Sequence, residues 1–353
     1  METPFIYNRY VTGKYFVSRQ KEIKYVSEGL KNKKNILIYD SPKTGKESLI
    51  KNSLKKLDNE RFEYKLVEIN LLTIRDKDTF YRTILEAYSK ITNIDLSYFK
   101  DVMEGISHLS YEQIDEIIDL PEKISFDNNC QIILYFKEFQ NILFFEDYET
   151  ILSYLEKKWK EHISVSYIVT GSRINAMQYI FEERKFFYKL FTKINLSPLE
   201  ESEVSNFIKK TFLRRGKVVD KDLAHLIYIT LGDYPWYLWH LCSISYNLTI
   251  GYLTRNVLDE ALDSLLALHE PRFIDMVNEL TTFQISLLKA VYDNESQLTS
   301  SCNIDKYHLN SSANVYRVKE ALRKKEIISF DREDRPYIID PLFKLWLSKY
   351  FFK

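Results

Sequence analysis

"YDSPKTGKES", Tyr39 to Ser48, decides how this chain is read. It follows the apolar run Ile36-Leu37-Ile38 and leads into Leu49-Ile50-Lys51-Asn52-Ser53-Leu54, which reads as a helix. A strand, a glycine-bearing turn and a helix opening at Gly-Lys is the layout of a phosphate loop, G-x-x-x-x-G-K-[ST]. Such a loop works because backbone N–H groups and the helix N-terminus surround the phosphates while the lysine neutralises them. Gly45 and Lys46 stand in their places, flanked by Thr44 and Ser48. Asp40 stands where the first glycine belongs, and Glu47 where a Ser or Thr would hold Mg²⁺. Alone, the motif leaves open a phosphate loop or an ordinary turn carrying a chance Gly-Lys pair.

Outward from the loop, apolar runs alternate with amphipathic segments. "NILIYD" (35–40), "YKLVEINL" (64–71), "QIILYF" (131–136) and "VSYIVTG" (165–171) read as strands. "KESLIKNSLKKL", "DTFYRTILEAYSKI" and "YETILSYLEKKWKEH" carry apolar residues near i, i+3, i+4 and i+7 and read as helices. That rhythm predicts a parallel sheet covered by helices. Beyond residue 198 the strand signal stops. "LEESEVSNFIKKTFLRRG", "DKDLAHLIYITLGD" and "YPWYLWHLCSISYNLT" read as successive helices, and "TRNVLDEALDSLLALHEPRFIDMV" as one or two more. From about 280, three helical patterns, a short hairpin at "ISFDREDRPYIID" and a last helix at "PLFKLWLSKYF" describe a winged helix. The expected division is therefore 1–198 for the sheet domain, 199–279 for a helical lid and 280–353 for the winged helix.

Composition bounds the partners. The 50 Lys+Arg balance 50 Asp+Glu, so no global field draws the chain to nucleic acid or membrane. Cys130, Cys242 and Cys302 are odd in number and far apart, against a disulfide framework. No HExxH, CxxC or Cys/His cluster stands in the sequence, so no zinc site is expected. The N-terminus lacks a charged-then-apolar signal and no uncharged run reaches the length of a membrane span, so a cytoplasmic protein is expected.

The second half of a phosphate site is an apolar strand ending in acids. "IILYFKEFQ" supplies the strand, then Lys137-Glu138-Phe139-Gln140. Glu138 stands where a water-activating carboxylate belongs, whereas Lys137 replaces the acid that would hold Mg²⁺. Another strand ends "IVTGSR", where Ser172 is the candidate γ-phosphate sensor; a plain strand-end turn would look similar.

Together these segments resemble the archaeal-type ATPases of the STAND/AAA+ class, particularly the Bacteroidetes ATP-binding proteins of that group. "YFVSRQKEI" is similar to their opening segment and keeps Arg19 and Glu22; "SPKTGKESLI" resembles their phosphate loop, and "YFKEFQNI" their D-E-F-Q strand end. "YIVTGSRINAMQYIFEERKFFYKLF" resembles their sensor strand, and "GDYPWYLWHL" their lid motif. "SSANVYRVKEALRKKEII" and "DPLFKLWL" resemble their winged-helix hallmarks. The resemblance runs nearly the whole chain, in order.

It implies an α/β P-loop NTPase domain, a helical lid and a C-terminal winged helix acting as a nucleotide-controlled switch. ATP or ADP is the implied ligand, with Lys46 on the phosphates, Glu138 orienting water, Ser172 sensing and Pro235 near the nucleotide in the lid. The departures at Asp40, Glu47 and Lys137 fall on the metal and leave Mg²⁺ dependence in doubt, so a switch with impaired hydrolysis, acting through an unknown protein partner, is the expected function. An active ATPase coupled to DNA is the alternative. DNA contacts would centre on Arg317, Arg323 and Lys324 of the third winged-helix pattern. Glu47 and Lys137 are expected to form an ion pair, because one has become negative and the other positive where both formerly shared a metal. The oligomeric state is left open.

Overall fold

The computed structural model describes residues 3–91, 97–104, 108–232 and 234–352. Asp233, within the lid motif quoted above, lies outside them. The chain forms two compact units, Gln20–Pro42 with Lys46–Leu196, and Met1–Arg19 with Lys43–Gly45 and Ser197–Lys353.

The first is a parallel sheet with helices. In chain order it holds α1 (Gln20–Lys31), β1 (Asn35–Tyr39), α2 (Lys46–Asn59), β2 (Tyr64–Asn70), α3 (Lys77–Ser89) and a short α4 (Lys100–Met103). Then come α5 (Tyr111–Asn128), β3 (Gln131–Lys137), α6 (Tyr148–Glu161), β4 (Val165–Gly171), α7 (Ile174–Gln178) and β5 (Phe191–Lys193). The strands lie in the order β2-β3-β4-β1-β5, and every pairing is parallel. In β4 every residue is buried, and in β3 every one but the last. Alternate side chains point to opposite faces, so a strand buried throughout is covered on both sides. The four expected strands are all present. The fifth, β5, has three residues and lies at the edge, where Thr192 pairs with Ile36.

This order puts β3, β4 and β1 side by side, with Tyr39 opposite Gly171 and Phe136 opposite Val169. The phosphate loop, Lys137-Glu138 and Ser172 therefore all leave the same edge of the sheet. That edge, outside the carboxyl ends of parallel strands, is where open α/β sheets bind ligands.

The second unit is helical until its end. It contains α8 (Glu201–Leu213), α9 (Lys221–Leu231), α10 (Pro235–Leu248), α11 (Arg255–Asn278) and α12 (Thr282–Tyr292). It closes with α13 (Ser301–Lys306), α14 (Ser312–Lys324), the antiparallel pair β6 (Ile328–Phe330) and β7 (Pro336–Ile338), and α15 (Pro341–Trp346). The stretch read as one or two helices is a single one, α11, with Pro271 inside it. One apolar core runs through the unit, from Phe5 through Phe212, Tyr237 and Phe273 to Phe343 and Leu347. A polar knot joins its parts: Arg272 of α11 donates to Asp340 at 2.5 Å and to the Tyr237 hydroxyl at 2.7 Å. Asp340 also caps α15 through the Leu342 and Phe343 amides. Among the described residues, no helix is long and apolar enough to cross a membrane.

Candidate nucleotide site

Tyr39 ends β1, and the chain turns through Asp40-Ser41-Pro42 and Lys43-Thr44-Gly45 before α2 begins at Lys46. Gly45 has φ +97, a conformation that side-chain-bearing residues rarely adopt. The Lys46 ammonium curls over its own loop, donating to the carbonyls of Asp40 at 2.8 Å and Ser41 at 2.6 Å. Lys46 and Ser48 are both buried in the first turn of α2.

Glu47 lies in the same turn, where its charge also suits the helix N-terminus. Lys137, the last residue of β3, donates to Glu47 Oε1 at 2.7 Å, so the expected ion pair is present. The same ammonium lies 2.8 Å from Glu68 Oε2 of β2, and Glu68 in turn accepts from Lys51 of α2. Four alternating charges thus form a chain, Glu47, Lys137, Glu68, Lys51. Burial alone would lower the Lys137 pKa, but hydrogen bonds to Glu47 and Glu68 raise it above the ordinary lysine range. Burial would raise the Glu68 carboxyl, yet Lys137 and Lys51 hold it below the usual carboxylate range.

Sequence reading missed Glu68, although strand alternation carried a signal. Asn70 stands opposite Lys137, and Glu68, two residues earlier on the same face, is its diagonal neighbour.

Glu138 follows with φ 55 and ψ 43, the left-handed region, which costs a non-glycine residue roughly 1–2 kcal/mol. Its Oε2 accepts from Ser172 Oγ, and from Gln140 Nε2 at 2.8 Å. The two candidate residues from β3 and β4 are therefore in direct contact, joined by a buried glutamine that the sequence reading gave no role. Gly171, just before Ser172, leaves room for this group: a Cβ there would lie 2.7 Å from Gln140 Oε1 and 2.4 Å from Met177 Cγ.

The loop apex, Lys43-Thr44-Gly45, belongs to the helical unit. Arg19 Nη1 donates to the Thr44 carbonyl at 2.6 Å, and its Nε to the Ser197 carbonyl at 3.0 Å. The Lys43 ammonium lies 3.5 Å from the ring centre of Trp236, next to Pro235, which opens α10. Of the aromatic lid residues, Tyr234, Tyr237 and Trp239 are buried in the core, while Trp236 is half-buried.

Arg317, Arg323 and Lys324 all lie on α14. Arg317 donates to Asn314 at 2.8 Å, and Arg323 lies 3.1 Å from Glu320. Next to them Lys325 pairs with Glu279 at 2.9 Å, and Lys319 sits 3.8 Å above the Phe330 ring. Among the described residues no group of three or more His, Cys, Asp or Glu is placed to hold a metal ion.

Residues 271–349 match a family described as "Probable winged helix domain". No curated protein matches the chain in sequence. Among solved structures it is similar to the Walker-type ATPase PABY2304 of Pyrococcus abyssi, with a TM-score of 0.69 and 17% identity over 97% of this chain and 99% of that one. It is similar to the ORC2 protein of Aeropyrum pernix, in ADPNP–ADP complexes, with a TM-score of 0.62 and 13% identity over 94% and 93% of the two chains. The ORC1 protein of the same organism, in complex with DNA, matches with a TM-score of 0.52 and 14% identity over 96% and 95%. At these identities the likeness is one of fold: a P-loop ATPase sheet followed by a helical lid and a winged helix.

Proposed function

We propose that this chain is a cytoplasmic nucleotide-binding switch of the STAND kind, which holds ATP or ADP with little need of Mg²⁺, turns it over weakly, and acts by associating with another protein. Its working parts are 1–198, 199–279 and 280–353. The observation that carries this reading is the Lys137 ammonium held between Glu47 and Glu68. Lys46, Gly45 and the start of α2 suit phosphate, with Thr44 and Ser48 as further loop contacts. The metal positions do not suit a divalent cation, which takes oxygen ligands; one of them is a cation itself, already satisfied by two carboxylates. Phosphoryl transfer relies on metal positioning and charge stabilisation. Without them, Glu138 as the water-orienting carboxylate and Ser172 as the sensor lose the electrostatic partner of the developing charge.

The test is calorimetric titration of ATP with Mg²⁺ and with EDTA, followed by phosphate release on the same sample. Comparable affinity in both buffers, lost in Lys46→Ala, supports the switch. Steady hydrolysis of several turnovers per minute, abolished by EDTA and by Glu138→Gln, overturns it in favour of an active ATPase.

A protein partner is favoured over DNA because Arg317 and Arg323 of α14 are engaged within the unit by Asn314 and Glu320, and Lys325 just after the helix by Glu279. The DNA reading draws on the remaining positive balance of that helix. If it holds, affinity falls steeply with salt and Arg317→Ala/Arg323→Ala/Lys324→Ala lowers the log–log salt slope by up to about 3.

A further inference from the structure

We infer that Lys43 and Trp236 form a latch which bound polyphosphate must open: the indole face and the phosphates of a nucleoside di- or triphosphate compete for one ammonium. This rests on the nucleotide-binding reading of the loop.

Lys43 stands three residues before Lys46, inside the phosphate loop. Its φ of 61 puts a lysine in the left-handed region that favours glycine. Such strain persists only where the surroundings over-determine it. Here Arg19 grips the adjacent Thr44 carbonyl at 2.6 Å, and Gly45 packs so closely that a Cβ there would lie 3.0 Å from the same guanidinium. Arg19 thus ties the apex backbone down at Thr44, which leaves the Lys43 side chain as the part that can change partner.

That side chain lacks the partner an ammonium usually has. Among the described residues, no carboxylate pairs with Lys43, whose Nζ instead lies 3.5 Å from the Trp236 ring centre. The nearby charge is of the wrong sign. Burial and then the Arg272 guanidinium lower the Lys43 pKa, and Arg272 already has Asp340 as its own partner. A π face offers a partly desolvated lysine a bias of roughly 2- to 30-fold. A phosphate oxygen offers a full opposite charge, which Lys43 lacks among the described residues. Entry of phosphate therefore draws Lys43 from Trp236 and releases the start of α10 from the loop apex.

Base stacking is the competing use of Trp236, and it predicts the opposite result. The full chain is titrated in EDTA with inorganic tripolyphosphate, which has no base, and with ATP. The latch predicts that Trp236→Leu binds both ligands roughly 2- to 30-fold more tightly than the wild type. Trp236→Phe falls between them, because phenylalanine keeps a weaker face and the helical packing. In a Lys43→Met background, Trp236→Leu gives no gain. Tripolyphosphate binding unchanged in both Trp236 variants, or ATP binding weakened while tripolyphosphate is unaffected, overturns the latch and leaves the nucleotide reading intact. Failure of every protein, wild type included, to bind either ligand overturns both.

Discussion

Lys137 of β3 donates to Glu47 of α2 across 2.7 Å, joining the last residue of that strand to the first turn of the helix that follows Gly45. The pair is not isolated. Glu68, 2.8 Å from the same ammonium, makes Lys137 the centre of a bridge between β2, β3 and α2.

Lys137→Met should therefore cost stability as well as charge. It leaves two carboxylates facing each other with Lys51 as the nearby cation. Breaking a buried pair costs about 3–5 kcal/mol, and exposed pairs contribute about 0–1 kcal/mol. Side-chain exposures of 21% for Lys137 and 43% for Glu47 place this site between those limits, at about 1–2 kcal/mol. Urea unfolding should show a lower midpoint at unchanged slope. Adding Glu68→Gln should recover part of the loss; no recovery would show that repulsion is not the cause.

Gly171→Ala tests the close packing behind Glu138. The added methyl would meet Met177 Cγ at 2.4 Å and Gln140 Oε1 at 2.7 Å. Overpacking of this kind costs about 1–3 kcal/mol. Met177→Ala in the same chain should restore part of it, since the thioether is the nearer obstacle. A silent Gly171→Ala would mean that α7 shifts without cost.

The parts legible in the sequence are those with a strong period or a fixed motif. Four strands stood out as largely apolar runs of six to eight residues, and the loop was marked by Gly45-Lys46. β5 escaped because three residues at an edge carry no period, and its register comes from β1. α5 escaped because Pro121 interrupts its pattern, although Ser110 and Gln113 form the capping box that marks its start. The Glu47–Lys137 pair could be anticipated because the phosphate loop and the strand end that carry them are the two halves of one expected site. Glu68 had strand alternation to mark its face, but the register that sets it beside Lys137 is tertiary, and no local pattern encodes Gln140 or the Lys43–Trp236 contact.

Acidification should loosen the helical unit through His240. The ring stacks on Tyr7 at 4.1 Å, and its pKa is pushed down to about 4 by burial, then by His269 and Lys43. The unfolded chain takes this proton near pH 6.5, the folded one near 4. Between those values the unfolded state binds more protons, so stability rises with pH across that window and is lost on descending through it. Because the ring is only half-buried, solvent screening reduces the effect to about 1 kcal/mol. His240→Gln should flatten the dependence of Tm on pH between 6.5 and 4. An unchanged slope in that variant would assign the titration elsewhere.

Glu47→Thr combined with Lys137→Asp should return Mg²⁺ dependence to nucleotide binding. Each change alone is frustrated for a different reason. A carboxylate at position 137 beside Glu47 and Glu68 would gather three negative charges. At ~4 Å and an effective dielectric of ~20 each like pair costs about 4 kcal/mol. A threonine at position 47 alone leaves the Lys137 ammonium on Glu68 and keeps a cation in the way. Together they provide a hydroxyl and a carboxylate, the oxygen pair that phosphate loops offer to Mg²⁺. Glu68 keeps Lys51 as its own partner, so it need not follow the change. The expected outcome in calorimetry is an ATP affinity that falls roughly tenfold when EDTA replaces Mg²⁺ in the double variant, and less than about twofold in either single variant. Additive positions would reach at most about fourfold, so the excess is a coupling of at least about 0.5 kcal/mol, and about 1.4 kcal/mol where neither single variant responds. Additive effects would show that Glu47 and Lys137 touch without sharing a function, and that their charges drifted separately.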